Sequence, residues 1–249
     1  MPADDHSRSS SRFPTTHWSL VVKAGGPRTT ESGAALAVLC QTYWYPLYAW
    51  ARRSGYGEEE ARDLIQGFLA RFLEKDYLKE RSPAKGKFRS YLLAALKHFA
   101  ADEFDRAQAK KRGGGQLNLP LELDLADGER RYRSEPSHNV TPEYVYEQRW
   151  AFTLLRRALA GLRAQFEETG RSHHFGTLEG FLPGGRQAPT YEKAAERLGM
   201  SVSQVKGAIH RLRGKYRESL RTEVAHTVSD PEEIGEEIRY LIEVVGRGP

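Results

Sequence analysis

Residues 190–221 (TYEKAAERLGMSVSQVKGAIHRLRGKYRESLR) constrain the fold more than any other stretch, because their signals all ask for the same local structure. Thr190 is a helix cap, and Leu198-Gly199 is a stop that lets the backbone turn left-handed. Ser201 and Gln204 then form an S-x-x-Q capping box that starts a second helix. Ala194, Ala195 and Leu198 make one apolar face. Val205, Ile209, Leu212, Tyr216 and Leu220 make another at steps of three and four. The result is a helix, a tight turn and a second helix. Its outward side carries Ser203, Gln204, Lys206, Gly207, His210 and Arg211, with Arg213, Lys215 and Arg217 further along. A cationic second helix of this form suits the major groove of duplex DNA. The plainer alternative is a solvated amphipathic hairpin packed on a core.

The rest of the 249 residues also reads as helical. Gly33–Ser54 carries Leu36, Leu39, Cys40, Tyr43, Trp44 and Leu47 at helical spacing, with a kink or break expected at Pro46. Glu58–Lys75 places Leu64, Ile65, Phe68, Phe72 and Leu73 on one side. After a loop at Asp76–Lys87, Phe88–Arg112 is a third helix, buried through Tyr91, Leu92, Ala95, Phe99 and Phe104. Thr141-Pro142-Glu143 starts a fourth in the favoured order of cap, then proline, running through Trp150, Leu154, Leu155, Ala158 and Leu162. Gly170–Pro189 is expected to be irregular. Asp230-Pro231-Glu232-Glu233 opens a final amphipathic helix with a stripe of Ile234, Ile238, Leu241, Ile242 and Val245. With no βαβ pattern and no repeat, the class is all-α.

The expected organisation is a disordered, serine-rich N-terminus (1–14), a helical domain (15–112), a flexible acidic linker (113–141), a second helical domain holding the helix-turn-helix (142–222) and an acidic C-terminal extension (223–249). Thr15–Lys23 is expected to form a short helix. In the linker, Leu117, Leu119, Leu121, Leu123 and Leu125 alternate as in an extended segment. The net charge is only +5, but positive charge gathers at 75–112 and 186–221 and negative charge at 122–147 and after 223. That alternation fits two polyanion-facing modules. A single cysteine, Cys40, excludes an internal disulfide and fits a reducing, cytoplasmic setting. No apolar run approaches the about 20 residues that span a bilayer, and the N-terminus lacks the apolar core of a secretion signal.

Catalytic signatures do not assemble. His173-His174 with Glu167, Glu168 and Glu179 is the nearest thing to a metal site, yet it lacks H-E-x-x-H or comparable spacing. The chain has neither a phosphate-cradling G-x-x-x-x-G-K-[ST] nor a G-x-S-x-G elbow. No enzyme and no cofactor are expected; a metal-dependent enzyme is the remote alternative.

Three passages in order carry a family resemblance. Tyr45-Pro46-Leu47-Tyr48 is followed by DLIQGFLARFLEK at 63–75; GKFRSYLLAALKHFAADEFDRAQAKKR occupies 86–112; the helix pair at 190–221 closes the set. Together they resemble bacterial RNA polymerase sigma factors of the extracytoplasmic-function type, in the sigma-70 family. The resemblance implies that Asp63, Gln66, Gly67 and Arg71 meet the clamp helices of the largest polymerase subunit. It implies that the second passage, with the loop before it, reads the promoter −10 element, with Tyr77, Lys85, Lys87, Arg89, Lys97, His98, Arg106, Lys110, Lys111 and Arg112 facing DNA. The third would read the −35 element through Ser203, Gln204, Lys206, Gly207, His210, Arg211, Arg213 and Lys215. Implied partners are core polymerase, including the flap of its second-largest subunit, promoter DNA and an anti-sigma factor. Two positions depart from the family pattern: His98 where many members have Asn, and Gly207 where a small polar residue is usual. The passage before the helix pair is longer and lacks the family's L-P-x-x-x-R signature. A helix-turn-helix regulator acting without polymerase is the alternative reading.

Overall fold

A computed structural model describes residues 30–72, 87–109, 125–134, 140–183, 185, 187–228 and 230–247. Every regular element among them is helical: α1 (Thr30–Arg53), α2 (Glu58–Phe72), α3 (Phe88–Ala109), α4 (Leu125–Ser134), α5 (Pro142–Glu168), α6 (Ser172–Leu178), α7 (Tyr191–Leu198), α8 (Val202–Ala225) and α9 (Ile234–Gly246), with single 3-10 turns at Glu179–Phe181 and Pro231–Glu233. The N-terminal segment at 1–14, the short helix at Thr15–Lys23, most of the loop before α3 and the alternating leucines up to Leu123 lie outside the described residues.

α5 organises the molecule. Thr141 caps it, its Oγ1 accepting from Tyr144 N at 3.2 Å, and Pro142 occupies the first turn. α1 packs along it on one side and α8 on the other, while α9 leans on both α5 and α8. The apolar core therefore runs without interruption from Leu39 in α1, through Tyr146, Trp150, Leu154, Ala158 and Leu162 of α5, to Leu220 and Val224 of α8 and Val244 of α9. α5, expected to open the second domain at 142, packs against helices from both expected domains.

Several local expectations are corrected. α1 continues unbroken through Pro46. An interior proline costs about 3 kcal/mol, but Tyr43, Leu47, Tyr48, Ala49 and Ala51 around it are wholly buried. Such burial returns about 1.5–3 kcal/mol per large side chain, so packing holds the helix together. α6 and its 3-10 turn occupy part of the stretch expected to be irregular. They form because Phe175, Leu178 and Leu182 are buried, with Phe175 packed 5.4 Å from Phe166. Phe104, expected in the core, is 62% exposed. On the C-terminal helix the buried line is Ile234, Glu237, Leu241 and Val244, and Ile242 is exposed.

α4 falls where a flexible linker was expected. It is seated on α1 by shape and charge together. A Cβ at Gly128 would stand 2.7 Å from Cζ3 of Trp44, so only glycine allows the two helices this close. The next residue, Glu129, is buried and accepts from Tyr48 Oη at 2.5 Å, from Arg52 Nε at 3.0 Å and from Arg133 Nε at 2.8 Å. Burial alone would raise this carboxyl, but the hydrogen bonds from Tyr48, Arg133 and Arg52 outweigh it and hold the carboxyl below its usual value. A depressed folded-state value contributes stability above the unfolded value of about 4.5 and loses it as pH falls through the folded one. Glu129→Gln is therefore expected to lower stability by about 1–3 kcal/mol at pH 7. In urea titrations the gap between variant and parent should close as pH falls below about 4.5. A gap that stays constant down to pH 3 would assign the loss to shape and not to charge.

Candidate nucleic-acid interface

The α7–α8 pair is built by its caps. Thr190 Oγ1 accepts from Lys193 N at 3.3 Å to start α7. Gly199 ends it in the left-handed region at φ 61°, and Met200 N reaches back to Ala195 O at 3.0 Å, the closing bond of a Schellman turn. The Ser201–Gln204 box is reciprocal: Ser201 Oγ accepts from Gln204 N at 3.2 Å, and Gln204 Oε1 accepts from Ser201 N at 2.8 Å. One consequence bears on recognition. The carboxamide oxygen of Gln204 is engaged in the cap, which leaves the amide nitrogen as the group with which this side chain would meet a ligand, as a donor. Ala194, Ala195, Val205, Ile209, Leu212, Tyr216 and Leu220 are buried as expected.

The outward face of α8 has a definite relief. Ser203, His210, Arg211 and Gly214 are exposed, and Gly207 lies between them. Arg211 lies back along the helix: a Cβ at Gly207 would stand 3.5 Å from its Nη1. The two glycines each cost a helix about 1 kcal/mol relative to alanine, and in return they leave the centre of the face low. Cations flank it on both sides. Lys206 Nζ sits 5.4 Å from the ring centre of Tyr191, which stacks on Phe181 at 5.4 Å. Arg213 and Lys215 are turned away from the first turns of α8. Arg213 Nε donates to Phe181 O at 3.4 Å, and Lys215 Nζ lies 5.3 Å from the Phe166 ring. Of the eight residues expected to face the −35 element, six share one face and these two lie to its sides.

The residues expected at the −10 element divide differently. Tyr77, Lys85, Lys110, Lys111 and Arg112 lie outside the described residues. His98 is exposed, and Lys97 and Arg106 are exposed in ion pairs at 2.6 Å with Glu143 and Glu103. Hydrogen bonding to Lys97 is the main cause holding the Glu143 carboxyl below its usual value. Arg89 is a correction. It is 4% exposed, its Nε donates to Glu147 Oε2 at 2.7 Å, and its Nη1 donates to Glu237. Its guanidinium lies between the rings of Trp150 and Tyr240, at 4.6 and 4.4 Å. As folded, Arg89 faces the interior. Lys87 is half-buried and pairs with Glu237 Oε2 at 2.9 Å and Glu236 Oε1 at 3.7 Å.

On α2, Asp63 is exposed, and Gln66 and Arg71 are half-buried at the surface. Gly67 is half-buried beside them, and a Cβ there would touch the Phe99 ring at 3.4 Å, so its position borders α3. Around His173-His174, His173 Nε2 lies 3.1 Å from Arg197 O, and Glu179 turns inward to Arg163 at 2.6 Å. Among the described residues no group of three or more His, Cys, Asp or Glu side chains is placed to hold a metal ion, and no helix is long and apolar enough to cross a membrane. What the described surface offers is a capped, cation-flanked helix face of a size and charge suited to a DNA groove. Compared with protein-family models, curated proteins and solved structures, the chain gave no match.

Proposed function

We propose that this chain is a sigma factor: it binds core RNA polymerase and directs promoter recognition and DNA opening. The observation that carries the reading is the outward face of α8, where Ser203, Lys206, His210 and Arg211 stand together around a low, glycine-lined centre. Side chains on the first turns of a second helix reach base edges, while cations at the flanks meet phosphates. In this mechanism α2 joins polymerase through Asp63, Gln66 and Arg71. α8 enters the major groove of the −35 element. The −10 strand is opened and an extruded base is held near Lys97 and His98, by stacking and edge hydrogen bonds of the kind single-stranded sites use.

Run-off transcription with purified core polymerase tests the reading; initiation that depends on adding this protein is the expected result. Absence of initiation at every promoter tried leaves a duplex-binding regulator, which would use the same α7–α8 face. The surface of α2 separates the two. Reversing charge with Asp63→Arg and Arg71→Glu is expected to lower core-polymerase affinity at least about tenfold, a loss of about 1.4 kcal/mol or more, and to leave duplex binding unchanged. Equal polymerase binding by parent and variant would remove α2 from the interface.

A further inference from the structure

α9 closes over the start of α3 with acid against base. Asp230 Oδ1 caps its lead-in turn, accepting from Glu232 N at 2.9 Å. Ile234, Leu241 and Val244 then bury on α5 and α8, and Tyr144 Oη donates to Val244 O at 3.3 Å. The middle of this buried line is a carboxylate. Glu237 is fully buried and paired with both Lys87 and Arg89. Tyr240, one turn on, covers the same two cations, 5.3 Å from Lys87 Nζ and 4.4 Å from Arg89 Cζ.

A helix that served only as a brace would do as well with an apolar residue at 237. Replacing a buried ion pair by well-packed apolar groups is often neutral or stabilising. A carboxylate here makes the contact one that another anion can compete for. The two cations are also placed unequally. Among the described residues Arg89 has a second acid, Glu147, on α5, whereas the acids paired with Lys87, Glu236 and Glu237, both belong to α9.

We propose that α9 is an intramolecular stand-in for a nucleic-acid strand: its carboxylates occupy the cations at the start of α3, and a single-stranded DNA backbone displaces them. This rests on the sigma-factor reading, in which that end of α3 meets the opened strand. Strand binding and α9 docking are then mutually exclusive, and the C-terminal extension sets how readily the protein engages opened DNA. Lys87 is the cation released, and Arg89 is partly released.

The test is polymerase-free binding of a fluorescent single-stranded oligodeoxynucleotide across a salt series. The double variant Glu236→Gln/Glu237→Gln is expected to bind about tenfold more tightly than the parent at 0.1 M salt, with a salt slope steeper by about 1.4, since two added phosphate contacts count about 0.7 each. A charge-matched control, Glu232→Gln/Glu243→Gln, is expected to stay within about twofold of the parent. Adding Lys87→Ala to the first variant should abolish most of the gain. Equal gains in the two double variants, or a gain indifferent to Lys87, would overturn the proposal as a net-charge effect. In the unaltered chain, saturating oligonucleotide should speed amide exchange in Ile234–Gly246; unchanged exchange also overturns it, whatever the variants do. Run-off with core polymerase keeps the two claims apart. Initiation by the parent, with no gain in strand binding by the variant, sinks the α9 stand-in alone. A gain in strand binding with no initiation by either protein sinks the sigma reading alone.

Discussion

Replacing Trp150 with alanine is expected to destabilise the whole chain by about 3–5 kcal/mol. Among the described residues Trp150 is the largest fully buried side chain; it lies against Tyr43 of α1, and one face of its indole carries the Arg89 guanidinium at 4.6 Å. Removing it opens a cavity and also uncovers a buried charge. Arg89 would keep Glu147 and Glu237 but lose one of the two rings that enclose it. Against a usual net stability of about 5–15 kcal/mol, this is a large fraction. Guanidinium unfolding followed by tryptophan fluorescence and by far-UV circular dichroism measures it. Because the core is continuous from α1 to α8, both probes should report one transition in the parent and one, shifted, in Trp150→Ala. Trp150→Phe keeps a ring beneath Arg89 and is expected to lose less than half as much. A loss below about 1 kcal/mol on Trp150→Ala would mean that the α1–α5 contact is not a principal support of the fold.

What was legible in the sequence was local. Thr141, Thr190, Ser201 and Gly199 act on residues within five positions of themselves, so reading along the chain finds them, and the structure has each in its expected cap. The apolar steps of α8 were equally plain. Arg89 was not, because a cation one residue into a helix ordinarily reads as surface. Its burial depends on Glu147 and Glu237, which are 58 and 148 positions away. Glu237 was hidden for the same reason: its neighbours Ile234, Ile238 and Leu241 mark an apolar stripe, and nothing nearby announces that an acid belongs inside it. Gly128 fell inside the expected linker, and the neighbour that demands a glycine there, Trp44, belongs to a distant helix. Gly67 was grouped with Asp63, Gln66 and Arg71 by the family resemblance, and its nearness to Phe99 is set by α3. In the candidate interface, likewise, the run of cations along one helix and the family resemblance grouped Arg213 and Lys215 with Arg211. The aromatic partners that draw them aside, Phe181 and Phe166, come from other parts of the chain.

Reversing the charge at Lys206 and Arg211 together is expected to weaken duplex binding about 100-fold or more at 0.1 M salt. Each lost phosphate contact removes about 0.9 from the salt slope, which is close to a decade of affinity at that concentration. The added acids repel the backbone and push the loss further. The salt slope should fall by about 2 in Lys206→Glu/Arg211→Glu. The discriminating partner is Arg213→Ala/Lys215→Ala. These two cations are also exposed, but their side chains lean toward Phe181 and Phe166, so the loss should stay within about threefold and the slope should change by less than about 1. Were binding to depend only on the overall positive charge of α8, the glutamate variant, which shifts that charge by four, would lose about twice as many decades of affinity as the alanine variant, which shifts it by two. Circular dichroism controls for folding; the capping box and the buried line from Val205 to Leu220 are untouched by either change. Similar losses in the two variants, once corrected for the number of charges altered, would deny α8 a defined reading face. A loss confined to Lys206 and Arg211 would place the DNA on the side where Gly207 and Gly214 let it come closest to the helix backbone.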